Sequence, residues 1–124
     1  MKELVGLTVK AVYKSGDEVL MFETDQGDIA YATEADCCNA VWFNHFDNVE
    51  AFNDAQVISF EPCGWMNVAE DDWSVTELSF LKFVTTKGLC TIEIRNSHNG
   101  YYGGYIRKLE DPTEYDYELI KEDF

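Results

Sequence analysis

The sequence predicts an α+β fold: a single domain, residues 1–124, in which an antiparallel sheet of about six to eight strands packs against one main α-helix. Three observations lead there. Short runs of alternating apolar and polar residues, broken by Gly- and Asp-rich turns, recur along most of the chain. One stretch, Cys37 to about Phe52, replaces that alternation with an apolar spacing of three. A length of 124 residues with 46% hydrophobic content fills one core and leaves no room for a second.

The elements follow in order. Leu7, Val9, Ala11 and Tyr13 alternate with polar residues as a half-buried strand, broken by Ser15-Gly16-Asp17. Val19 to Thr24 and Ile29 to Thr33 make a second and third strand around the turn Asp25-Gln26-Gly27-Asp28, where Gly27 takes a positive φ. Asp36 then caps the helix, whose residues Ala40, Phe43 and Phe46, with Val41 and Val49, form a stripe against the sheet. Gln56 to Phe60 is a fourth strand, ended by Pro62, and Cys63 to Asp72 reads as a loop or insertion exposing Trp65 and Met66. Val75 to Thr85 and a strand through Cys90, Ile92 and Ile94 flank the turn Thr86-Lys87-Gly88. After a polar turn, Asn96 to Gly100, Tyr101 to Ile106 leads into another strand. Residues from about 110 to 124 form an acidic C-terminal extension, in which Tyr115, Tyr117 and Leu119 alternate as an edge strand or form a short helix.

Charge narrows the function. Nine Lys and Arg stand against 24 Asp and Glu, a net −15, so direct binding to a nucleic-acid backbone is not expected. No apolar run approaches the roughly 20 residues of a membrane span, and the N-terminus has no secretory h-region, so a cytoplasmic protein is expected. The acidity is uneven. Ser15 to Leu81 contains no Lys or Arg, whereas Lys82 to Lys108 holds Lys82, Lys87, Arg95, Arg107 and Lys108 against Glu93 alone. This cationic island points either to an anion site or to pairing with acids of the same protein.

Enzyme chemistry finds little support. His45 and His98 lie in no catalytic motif, and the serines and cysteines lack nucleophile signatures. Cys37, Cys38, Cys63 and Cys90 lack the paired spacing of a zinc site and read as structural thiols. The carboxylates Glu70, Asp71 and Asp72 lack the spacing of a calcium loop. No metal, no cofactor and no catalysis are expected.

Arg95-Asn96-Ser97-His98-Asn99-Gly100-Tyr101-Tyr102-Gly103-Gly104 is the densest candidate. Arg95 and Arg107 offer guanidinium forks for phosphate, Asn96, Ser97 and Asn99 offer donors and acceptors, and Tyr101 and Tyr102 offer stacking faces for a base. The glycines let a ligand approach the backbone closely. The same residues also read as a hairpin with a Gly-rich bulge and no ligand.

The segment Asp36-Cys37-Cys38 before Trp42, the turn Thr86-Lys87-Gly88, and the Arg95 to Gly104 motif resemble a family of small phage and prophage domains of unknown function, over roughly Leu4 to Gly104. The resemblance implies a phage origin and an α+β fold. More weakly, the chain is similar in size and context to phage sponge proteins that sequester nucleotide second messengers of bacterial defence, such as those of Thoeris and CBASS. That implies a homo-oligomer in the host bacterial cytosol that binds a small anionic nucleotide, a cyclic ADP-ribose isomer or cyclic oligonucleotide, without cleaving it. The alternative is an acidic inhibitor, a DNA mimic or anti-CRISPR type, that blocks a host nuclease or defence protein.

Overall fold

A computed structural model describes residues 1–35, 39–70, 74–98 and 104–124. Among the described residues ten strands form one antiparallel sheet: β1 (Thr8–Ser15), β2 (Val19–Thr24), β3 (Gly27–Ala35), β4 (Ala40–Asp47), β5 (Ala55–Pro62), β6 (Met66–Glu70), β7 (Val75–Thr85), β8 (Gly88–His98), β9 (Gly104–Lys108) and β10 (Glu118–Leu119). The main path runs β4-β8-β7-β5-β1-β2-β3-β9, with β6 paired to β7 and β10 to β1.

The sheet curls over on itself around one core. Phe22 on β2 and Phe83 on β7 are three strands apart along the path, which would separate them by roughly 14 Å in a flat sheet. Their ring centroids lie 6.5 Å apart, and both rings pack against Phe52. Leu20, Phe22 and Tyr31 from one half of the sheet and Phe43, Phe46, Ile92 and Ile94 from the other share a single buried cluster.

The expected main helix is absent, and the fold is not α+β. Among the described residues the only helical elements are short 3₁₀ turns at Lys2–Leu4, Val49–Phe52 and Pro112–Glu114. Half of the stretch assigned to the helix is β4, paired with β8 from Ala40 opposite Ser97 to Asp47 opposite Thr91. A bulge between Phe43 and His45 explains the misreading. Val41 and Phe43 alternate inward as in any strand, the bulge adds one residue, and Phe46 turns inward three positions after Phe43. A kinked strand thus imitates helical spacing. The proposed cap, Asp36, lies outside the described residues.

The other strand assignments hold with shifted ends. Gly27 turns the β2–β3 hairpin at φ 105. A bulge between Val9 and Ala11 makes Val9 and Val12 the buried pair on β1, instead of the regular Leu7 to Tyr13 alternation. The loop expected from Cys63 contains β6, and Asn96 to His98 continue β8 instead of turning.

The acidic C-terminal stretch is built into the domain. Leu109 and Tyr117 cover Val19, Ala30 and Ala32 on the outer face of β2 and β3. Asp111 accepts hydrogen bonds from the Thr113 N–H and hydroxyl. Glu118 and Leu119 pair with Lys14 and Tyr13, and Ile120, 6% exposed, enters the main core beside Val12. Phe124 then pairs with Phe46 on β4, so the segment bridges β1 and β4.

Candidate functional site

β8 lies between β4 and β7, so both of its edges are hydrogen-bonded and its side chains alternate between the two faces. Cys90, Ile92, Ile94, Asn96 and His98 point inward, while Thr91, Glu93, Arg95 and Ser97 point outward. The window read as one site is therefore split. Arg95 and Ser97 occupy the opposite face from Asn96. Arg107 stands on the outer face of β9, which pairs with β3 and not with β8. Asn99, Tyr101 and Tyr102 lie outside the described residues.

On the outer face, Arg95 Nε donates to Glu93 Oε2 at 3.1 Å. Asn44 Nδ2 donates to the same oxygen at 2.5 Å, and Trp42 Nε1 donates to Asn44 Oδ1 at 3.0 Å. Arg107 Nε lies 3.4 Å from Glu34 Oε2, with both side chains 52% exposed. The Lys87 ammonium donates to the Asn53 carbonyl. Three of the five cations of the island thus meet an acid or a carbonyl of their own chain.

The inner face changes character along β7 and β8. Leu81 opposite Ile92 gives way to Ser79 opposite Ile94, then to Glu77 opposite Asn96, with His98 two residue pairs further on, opposite Val75. Asn96 is 1% exposed and accepts from Asn39 Nδ2 at 2.9 Å. His98 Nε2 hydrogen-bonds Glu77 Oε1. Buried polar groups are costly unless paired, so this end of the sheet is tied by specific side-chain bonds. The strand ends here pair Ala40 with Ser97, Val75 with His98 and Ala35 with Gly104.

A cleft of about 250 Å³ opens where the inner face turns polar. Phe60, Leu81 and Ile94 line it, with Ile106 of β9; Ser79 lies on the same wall, and Pro62, Cys63 and Trp65 also border it. The Ser79 hydroxyl donates to the Cys63 carbonyl and fixes that stretch of chain. Trp65 is 42% exposed beside Met66 and Val68 of β6. This geometry suits a small molecule with an apolar body and a polar edge.

Glu77, Ser79, Asn39, Phe60 and Ile106 were missed as site residues. The available signal was the sequence Glu77-Leu78-Ser79-Phe80-Leu81, where strand alternation puts a carboxylate and a hydroxyl on the face that Leu81 and Phe83 bury.

The described thiols differ sharply. Cys63 is exposed, whereas Cys90 is 1% exposed and burial pushes its pKa well above the usual thiol range, with Asp123 and Asp47 adding to the shift. Among the described residues no three His, Cys, Asp or Glu side chains gather as a metal site. None of the described helices is long and apolar enough to cross a membrane.

A family model described as a domain of unknown function, DUF7448, matches residues 2–108, which takes in β1 to β9 and leaves out the segment that bridges β1 and β4. No curated protein and no solved structure matches the chain.

Proposed function

We propose that the chain, which belongs to the DUF7448 family, is a capture module: it holds a small anionic nucleotide without cleaving it. The observation that carries this reading is the cleft at the polar end of β7 and β8, on the strand that leads directly into the Asn-Gly-Tyr-Tyr-Gly-Gly segment. The cleft offers an apolar surface with the Ser79 hydroxyl on its wall, and Asn96, Glu77 and His98 lie further along the same inner face, outside the cleft lining.

Phosphates fall to the arginines. The Arg107 pair is a surface ion pair, worth about 0–1 kcal/mol, and a phosphate displaces such a carboxylate at small cost. Arg95 is held more closely, at 33% side-chain exposure, but its fork has donors beyond the one on Glu93. Since the two arginines stand on strands that do not pair, this reading arranges arginines from neighbouring copies around one ligand and makes the protein a homo-oligomer. In biological terms it is a phage counter-defence sponge in the bacterial cytosol, and cyclic ADP-ribose isomers and cyclic oligonucleotides are the ligands to try. Isothermal titration against that panel tests it. Arg95→Ala with Arg107→Ala should abolish binding with little change in melting temperature; undiminished binding by the double variant would refute the role of the arginines.

One observation favours a second reading. Both arginines are matched by acids of their own chain, so a net −15 is carried largely unrelieved on the surface. An acidic inhibitor of a basic host defence protein or nuclease would use that surface. Pull-down from host lysate at low and high salt tests it: a basic partner held only at low salt supports it, and none at low salt refutes it.

A further inference from the structure

Resting on the capture reading, we infer that the cleft bordered by Phe60, Leu81, Ile94 and Ile106 takes the flat, uncharged ring of the ligand, a nucleobase or similar heterocycle, and leaves the phosphates outside. Size argues first. Pockets for whole drug-sized molecules run from about 300 to 1,000 Å³. At about 250 Å³ this cleft has room for a ring system and not for a nucleotide with its phosphates. Charge argues second. No Asp, Glu, Lys or Arg side chain lines the cleft; Met1 also borders it, and its terminal ammonium is already paired with Glu3 at 3.3 Å, so a phosphate moved onto the aliphatic side chains would lose its hydration with little compensation.

The polar features present match a ring edge. The Ser79 hydroxyl spends its proton on the Cys63 carbonyl, so its oxygen is left to accept from a ring N–H. Glu77 and Asn96 lie on the same inner face two residue pairs further along, beyond the cleft lining. Trp65 offers an indole face for stacking at the border of the cleft.

Cys63 provides a direct test, because its exposed thiol borders the cleft while Cys90 is buried. In a variant carrying Cys37→Ser and Cys38→Ser, the rate of maleimide modification of Cys63 is measured with two probes. Adenosine has a ring and no phosphate; ribose 5-phosphate has a phosphate and no base. At ten times its dissociation constant adenosine should slow modification about tenfold by occupancy, and ribose 5-phosphate should leave the rate unchanged. Equal protection by ribose 5-phosphate, or none by adenosine up to its solubility limit, overturns the inference. A second variant, Cys63→Trp, fills the border of the cleft at an exposed position. It should keep the parent melting temperature and weaken adenosine binding, read by calorimetry, by about tenfold or more; undiminished binding also overturns the inference. The two readings fail separately. If a cyclic nucleotide raises the melting temperature while Cys63 stays fully reactive, the ring site falls and capture stands. If adenosine protects Cys63 but no cyclic nucleotide binds, the ring site stands and the messenger reading falls.

Discussion

Phe46 and Phe124 form a two-way backbone pair: the Phe46 N–H donates to the Phe124 carbonyl at 2.7 Å, and the Phe124 N–H returns to the Phe46 carbonyl at 3.2 Å. Their ring centroids lie 6.1 Å apart, and the Lys14 ammonium sits 4.5 Å from the centre of the Phe124 ring. The pair joins β4 to the segment that has just paired with β1. A stretch outside the family match therefore closes the gap between two strands inside it.

The closing segment should be needed for stability. Ile120→Ala removes a side chain that is 6% exposed in the main core and should cost about 2–4 kcal/mol in urea unfolding. Tyr115→Ser, at a position 37% exposed, should stay within about 0.5 kcal/mol. Equal effects would mean that residues 118–124 do not pack as described.

Acid should loosen the same closure. Asp123 accepts from the Val49 N–H at 2.8 Å, and backbone hydrogen bonding, first from Val49 and then from Asn48, holds its carboxyl below the usual range. A carboxyl lowered in the folded state stabilises the fold above its unfolded pKa of about 3.9, and that contribution fades as pH falls through the lowered value. Asp123→Asn keeps an acceptor oxygen and cannot titrate. Its urea midpoint should therefore fall less than that of the parent between neutral pH and roughly pH 2.5. Parallel acid profiles would deny Asp123 this role.

The two faces of β8 should answer differently to alanine. Arg95→Ala breaks a partly exposed pair with Glu93 and should cost less than about 1 kcal/mol. Asn96→Ala takes the acceptor from the Asn39 amide at a position 1% exposed and should cost about 1–3 kcal/mol. Urea unfolding of both variants checks the alternation, and a larger loss from Arg95→Ala would reverse it.

The strands were legible because their physics is local. Alternation and turn signals together located β1, β2, β3, β5, β7 and most of β8, and the turns holding Gly27 and Gly88 are where both glycines take a positive φ. The helix was misread because periodicity over a few residues cannot tell a bulged strand from a helical turn. Phe43 and Phe46 bury as spacing three in either case. Composition offered a correction: Val41, Trp42, Phe43 and Phe46 are residues that strands favour. For the candidate site, the sequence reading merged the two faces of one strand. Arg95 and Asn96 are neighbours in the chain and opposites in the sheet. Glu77 was invisible because its importance comes from lying opposite Asn96, a long-range pairing that no window along the chain displays.

Capture of a small nucleotide is tested by a thermal-shift screen of the purified protein against cyclic ADP-ribose isomers and cyclic di- and trinucleotides. A true ligand at 100 times its dissociation constant adds about 2.7 kcal/mol, a rise of several degrees in melting temperature for a domain of this size. At least one member of the panel should give such a rise, reduced in Arg95→Ala and Arg107→Ala. A flat response across the panel at millimolar concentration would contradict it.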